Sequence, residues 1–307
     1  MTLRIAYVTS GMGSVGTAIC QGLARAGHTV VAGCAPNSPR KANWLREQRE
    51  QGFDFIASEG NATDWASTSA AFAKVHAEVG EVDVLVNNSG GSRDLLFRQM
   101  TVDDWNAVIA SNLNSLFNLT KQVVDGMASR GWGRIINIGS VSAHKGQIGQ
   151  VNYATAKAAM HGFSRALAAE VASRGVTVNT LSPGYIASQA ISSFPPDVLD
   201  RLAASVPVRR LGRPEEMAAA AAFLCSTQAA YITGAAIHLT IDGTLTTVAS
   251  KREPGAPSLS LDRLAAVESN WRSDRLEGES GLVHQVAEPI GLRGAGVRGV
   301  LVLDLDR

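Results

Sequence analysis

Residues 153–157 read Tyr-Ala-Thr-Ala-Lys, which puts a phenol and an ammonium four positions apart on one face of a helix. A free phenol has a pKa near 10, too high for ready proton exchange at neutral pH. A neighbouring cation favours phenolate and brings that value toward the working range, so the pair suits acid–base chemistry on a substrate oxygen. Ser140, thirteen residues earlier, follows an apolar run at 134–139 that reads as a strand. It thereby offers a hydroxyl at the carboxyl end of a sheet, where ligands bind in open α/β folds.

A second candidate site lies near the start of the chain. Ser10-Gly11-Met12-Gly13-Ser14-Val15-Gly16 follows a strand-like run at 4–9 and opens a helical pattern. Gly11, Gly13 and Gly16 satisfy G-x-G-x-x-G in the strand–turn–helix setting that gives this motif meaning. Its glycines let main-chain N–H groups approach a pyrophosphate, and the helix start adds orphan donors and a positive dipole end. The end of the second strand, Gly33-Cys-Ala-Pro-Asn-Ser-Pro-Arg-Lys41, carries no Asp or Glu to hold an adenosine ribose. Asn37, Ser38, Arg40 and Lys41 could instead hold a 2′-phosphate, which predicts NADP(H) rather than NAD(H).

These groups need elements that bring them to one edge. Apolar runs at 5–9, 29–33, 53–58, 82–87, 134–139, 176–181 and 236–241 read as strands, with helical patterns such as 16–26 and 65–79 between them. Strands apolar on both faces, alternating with helices, predict an α/β, doubly wound parallel sheet (Rossmann-type) of about seven strands with helices on both faces. That domain spans residues 1–249. Residues 250–307 begin with a linker-like Lys251-Arg-Glu-Pro-Gly-Ala-Pro-Ser, then show a helical pattern at 261–271 and an apolar run at 299–305. They read as a poorly ordered extension.

Composition removes other classes. The 307 residues are 45% hydrophobic, which excludes disorder over the whole chain. A net charge of +1 gives no electrostatic footprint for nucleic acid or an anionic membrane. The three cysteines lie far apart without C-x-x-C spacing, so neither a disulfide framework nor a metal site is expected. No signal peptide or membrane-length apolar run is legible, and a cytoplasmic protein is expected.

The combination of residues 9–16, Asn61 to Asp64, Asn87-Asn88-Ser89-Gly90, Asn112, Ser140, Tyr153, Lys157 and Pro183-Gly184 resembles the short-chain dehydrogenase/reductase family over residues 3–249. Within it, phrases such as Cys34 to Arg40, Gly131-Trp-Gly-Arg-Ile135 and Lys145-Gly-Gln-Ile-Gly-Gln150 are most similar to the NADPH-dependent acetoacetyl-CoA reductases. The resemblance implies hydride delivery to the C3 ketone of a 3-oxoacyl thioester, as in the supply of polyhydroxybutyrate precursors. Tyr153 would donate the proton and Ser140 would hydrogen-bond the same oxygen. Lys157 would bind the nicotinamide ribose and lower the Tyr153 pKa, and Asn112 would hold a water leading to solvent. Cofactor contacts are expected from Ser10, Gly11, Met12, Gly13, Ser14, Val15, Gly16, Arg40, Gly60, Asn61, Asn88, Ser89, Gly90, Tyr153, Lys157, Pro183, Gly184 and Ile186. Asp94, Gln147, Gln150 and Tyr185 are substrate candidates, with residues 186–206 as a lid above them. The family also implies a homotetramer, with long helices near 102–130 and 150–174 packing across subunits.

The chain departs from the family's T-G-x-x-x-G-x-G turn by placing serine at positions 10 and 14. Positive φ at either would cost on the order of 1 kcal/mol, and weakened NADPH affinity is expected. Ser89 for Ala, Gly139 for Ser and Thr244 for Gly are further departures. Two alternatives stay open: reduction of 3-oxoacyl groups on an acyl carrier protein, and a weakly active or inactive cofactor-binding scaffold.

Overall fold

The computed structural model describes residues 4–239, 272–276, 284–288 and 301–302. Two compact units make up the chain, residues 1–242 and 243–307.

In the first unit, seven strands form one parallel sheet: β1 (Ile5–Val8), β2 (Thr29–Cys34), β3 (Ile56–Glu59), β4 (Val82–Asn87), β5 (Gly133–Ile138), β6 (Val176–Ser182) and β7 (Ala236–His238). Their order is β3-β2-β1-β4-β5-β6-β7, so the chain reverses its direction of travel between β1 and β4. Alternate residues enter opposite cores. Ala6, Val8, Val84, Val86 and Ile136 face one apolar layer, while Tyr7, Leu85, Ile135 and Val178 face the other. This two-sided burial is why the strands lack polar alternation.

Helices α1 (Ser14–Arg25), α2 (Lys41–Glu50) and α3 (Trp65–Glu78) make the first crossovers. The Asp64 side chain caps α3 by accepting from the Ser67 N–H at 2.6 Å. The strand expected at 53–58 begins only at Ile56. Phe53 and Phe55 leave strand pairing to stack, and Phe55 packs on Trp44 of α2 at 5.4 Å.

The long helix expected near 102–130 is interrupted. It divides into α4 (Val102–Ile109), a π-helical turn at Ala110–Asn114, α5 (Ser115–Lys121) and α6 (Val124–Ser129). Asn112 Nδ2 donates to the Val108 carbonyl four residues back, taking an acceptor that the regular ladder would use. After β5 come α7 (Ser142–Lys145) and the 21-residue α8 (Val151–Val171). Beyond β6 lie α9 (Gln189–Ser192), α10 (Pro196–Ser205) and α11 (Pro214–Cys225). No described helix is long and apolar enough to cross a membrane.

In the second unit, β8 (Arg272–Leu276), β9 (His284–Glu288) and β10 (Leu301–Val302) pair antiparallel in the order β10-β9-β8. The helical pattern at 261–271, Thr244, most of the run at 299–305 and the end of the expected strand at 236–241 lie outside the described residues.

Local packing distinguishes the glycines of the first turn. A Cβ on Gly16 would sit 2.2 Å from the Ser10 carbonyl oxygen, whereas one on Gly13 would sit 3.5 Å from that atom. Gly16→Ala is therefore expected to destabilise the protein by about 2 kcal/mol or more, and Gly13→Ala by well under 1 kcal/mol. Chemical denaturation of the two variants checks the contrast; equal midpoints would contradict it.

Candidate active site

The site is assembled at the carboxyl edge of the sheet, around the switch point between β1 and β4. Thr9 Oγ1 accepts the N–H groups of both Asn88 and Ser89 at 2.8 Å, joining the two strand ends. Asn88 Nδ2 returns the contact by donating to the carbonyls of Thr9 at 3.2 Å and Ser10 at 3.4 Å. Ser10 adopts φ +49°, the left-handed region, and its hydroxyl lies 3.1 Å from that of Ser89. Strain on the order of 1 kcal/mol at Ser10 is thus offset by a hydrogen bond of similar worth. Ser14 escapes such strain because it is the first residue of α1.

Beside this turn is a cavity of about 440 Å³, lined by Ser10, Met12, Gly13, Arg40, Gly60, Asn61 and Ser89 among the anticipated residues. Tyr7, Thr9, Gly33, Phe72 and Leu119 line it as well and were not anticipated. The close approach of Gly33 to the Tyr7 ring, where a Cβ would lie 3.0 Å away, is a signal no linear motif carries. Arg40 Nη2 donates to the Met12 carbonyl at 3.4 Å, so its guanidinium spans the turn. Lys41 does not line the cavity. It pairs with Glu59 at the end of β3, which also accepts the Asn37 N–H at 3.2 Å. This pairing holds the Glu59 carboxyl below its usual range. Gly11, Ser14, Val15, Gly16, Asn88, Gly90, Tyr153, Lys157, Pro183, Gly184 and Ile186 lie outside the lining. Gly11 packs against Ala32, Ile186 is buried in the core, and the Pro183 carbonyl accepts from the Val141 N–H at 3.0 Å.

Ser140 follows β5, and its hydroxyl stands close enough to the Tyr153 phenol to lower its pKa. Ser140 Oγ also accepts the Ser142 N–H at 3.1 Å, which orients the hydroxyl. Lys157, one turn along α8, is buried with its Nζ donating to the Ile138 carbonyl at 2.7 Å and lying 5.5 Å from the Tyr153 ring centroid. Burial lowers the Lys157 pKa to about 7. Burial raises that of Tyr153, the Ser140 hydrogen bond opposes the rise, and the Asp94 carboxylate adds to it. The net shift of the phenol is upward and is set chiefly by its own burial, opposite to the lowering expected from the Tyr153–Lys157 spacing.

Gly90, at φ +147°, closes the site from the other side. A Cβ there would fall 2.2 Å from Asn112 Oδ1 and 3.5 Å from Lys157 Nζ. The glycine therefore permits Asn112 to approach Lys157. Asn112 Nδ2 is anchored to the Gly91 and Val108 carbonyls, while its Oδ1 is buried with no described partner.

The four substrate candidates fall into two pairs. Gln150 Nε2 donates to Asp94 Oδ2 at 2.9 Å, which leaves Gln150 Oε1 as a buried acceptor without a described partner. Tyr185 OH donates to Gln147 Oε1 at 3.2 Å and accepts from Lys145 Nζ at 3.3 Å. The Gln147 amide oxygen is thus engaged as an acceptor, which leaves its NH₂ as the donor half of the group. Lys145 was not anticipated.

Comparison with known proteins places this geometry. The family model for short chain dehydrogenases matches residues 4–198. An acetoacetyl-CoA reductase of Cupriavidus necator is 63% identical over 239 residues, covering 78% of this chain and 97% of that protein. Nodulation protein G of Azospirillum brasilense is 50% identical over 239 residues, with the same shares covered. The 3-oxoacyl-[acyl-carrier-protein] reductase FabG of Escherichia coli is 42% identical over 241 residues, covering 77% of this chain and 95% of that protein.

Two outcomes follow from the site's energetics. The folded pKa of Lys157 lies below its ordinary 10.5, so a charge penalty is fully present below about pH 7 and disappears as pH rises toward 10.5. Lys157→Met should raise the Tm by several degrees at pH 6, with the gain shrinking as pH rises through that window. An unchanged Tm at pH 6 would contradict the penalty. Separately, Ser10→Gly and Ser89→Ala touch one hydrogen bond, so their double-mutant cycle should show coupling of about 0.5–1 kcal/mol. Additive denaturation midpoints would rule the pair out.

Proposed function

This chain belongs to the short chain dehydrogenase family, and from that premise we propose that it reduces acetoacetyl-CoA with NADPH, yielding 3-hydroxybutanoyl-CoA. It is an oxidoreductase acting on a ketone or alcohol group with a nicotinamide cofactor. The observation that carries the substrate reading is the placement of Ser140, at the end of β5, beside the Tyr153 phenol whose pKa it lowers, next to the polar pairs Gln147–Tyr185 and Asp94–Gln150. The 63% identity to an acetoacetyl-CoA reductase supports the same choice.

The residues fit a dinucleotide bearing a 2′-phosphate. The cavity carries Arg40 and a turn of main-chain donors, while Lys41 is already neutralised by Glu59. Arg40 is thus the cation we assign to that phosphate. When bound, NADPH supplies hydride to the C3 carbonyl. Tyr153 donates its proton to the oxygen there, and its raised pKa keeps it protonated before the reaction. Ser140 holds the same oxygen. Lys157 binds the nicotinamide ribose hydroxyls. Asn112 Oδ1, buried and open to one more donor, holds the water that resupplies protons. The NH₂ of Gln147, whose oxygen is held by Tyr185, suits the thioester carbonyl.

An acidic carrier protein as partner calls for free basic charge near the mouth. Arg210 and Arg213 instead share Glu216, and Arg209 Nη1 donates to the Ala204 carbonyl. These guanidiniums keep a net positive charge, so the choice of the CoA thioester rests on the 63% identity above. We further assign a homotetramer, supported by exposed Trp65, Val102 and Phe117 on the helical surface, the last two at 74% and 54% exposure. A cytoplasmic location is in keeping with three free cysteines.

Loss of NADPH absorbance with acetoacetyl-CoA tests the proposal. Tyr153→Phe should cut turnover by about 10²-fold or more with NADPH binding retained. Arg40→Ala should raise the KM for NADPH about tenfold or more while changing that for NADH little. Absence of oxidation by the wild type, or undiminished turnover in Tyr153→Phe, would overturn the assignment.

A further inference from the structure

Ser14 makes a contact that its position in the turn does not require. Its Oγ accepts the backbone N–H of Gln189 at 3.1 Å, across 175 residues of sequence. Gln189 is the first residue of α9 and stands near the start of the 186–206 segment above the site. Its N–H is one of the first-turn donors that a helix cannot satisfy internally. The base of this segment is anchored where Ala187 N–H donates to the Gly212 carbonyl at 2.8 Å. Farther along, α10 has no buried residue, so little apolar burial holds it down. A single hydroxyl contact therefore carries weight here.

The chemistry of that hydroxyl has a second half. A serine oxygen offers two lone pairs and one proton, and the Gln189 contact uses one lone pair. The proton remains to be given to an acceptor at the start of α1, where orphan N–H groups and the positive dipole end favour an anion. Glycine at this position, as in the family's turn motif, has neither group. We propose that Ser14 is a positioning residue that couples occupation of the turn by the dinucleotide pyrophosphate to closure of the 186–206 segment. The inference rests on the cofactor reading above and adds a residue to it.

Trypsin cleavage after Arg201, an exposed residue of α10, reads closure directly. In the wild type, NADPH should slow this cleavage about fivefold or more. Ser14→Ala should lose most of that protection, and Ser14→Thr, which keeps the hydroxyl, should restore it. Ser14→Ala should also raise the KM for acetoacetyl-CoA about threefold to tenfold, with a smaller change in kcat. Protection in Ser14→Ala within twofold of the wild type would overturn the proposal, as would a wild type that binds NADPH without protection. NADPH binding is measured independently by its fluorescence. If the wild type does not bind NADPH, the cofactor reading fails, and cleavage without ligand decides the contact itself. Ser14→Ala should then be cut about threefold faster than the wild type, and equal rates would remove the tie.

Discussion

The whole site hangs on the joint between β1 and β4. Adjacent parallel strands that lead to opposite halves of a sheet leave diverging loops and a crevice between them. Such a crevice needs a brace, because its backbone N–H groups have no ladder to join. Thr9 Oγ1 supplies it by accepting two of them, from Asn88 and Ser89. With that joint closed, the turn at residues 10–16 has a fixed floor and Gly90 stands where Asn112 and Lys157 converge. The cavity beside the turn and the Asn112–Lys157 side of the site thus meet at a joint closed by one hydroxyl.

Around this brace the departures from the family's turn acquire partners. Ser10, strained at φ +49°, meets Ser89, itself a departure. Ser14 meets Gln189. A Cβ on Gly139 would come within 2.5 Å of Ser182 Oγ, so the glycine makes room beside a buried hydroxyl. The serines in the turn are therefore better understood as exchanging backbone freedom for side-chain contacts of comparable energy than as simple losses.

Much of this was legible in sequence, and the limits have physical reasons. Strands such as β4 emerged because a strand buried on both faces is an unbroken apolar run. Tyr153 and Lys157 were legible because helical spacing places residues four apart on one face. Other features depend on contacts between distant residues. The Lys41–Glu59 pair joins α2 to β3, and the Lys145–Tyr185–Gln147 chain ties the end of α7 and the residues after it to the loop after β6. The π-helical turn at Asn112 arises from one side chain competing for a carbonyl, which leaves no trace in hydrophobic period. The protonation balance was the least legible, since spacing reveals proximity of charges but not their desolvation.

That balance joins structure to chemistry. Burial pushes the Tyr153 and Lys157 values in opposite directions, favouring the neutral form of each. A protonated phenol suits a donor, while the lowered lysine pKa weakens the charge with which Nζ would attract oxygen acceptors. On the proposed function, ribose hydroxyls and a nearby pyrophosphate bring acceptors and negative charge to Nζ, which favour the ammonium. By linkage, a lysine that is partly neutral in the free protein and charged in the complex takes up a proton when the dinucleotide binds. On that function, the desolvation of Lys157 by the surrounding fold becomes a preference for a ligand that restores its charge. Part of the stability lost by burying an amine is in this way recovered as selectivity for the bound state.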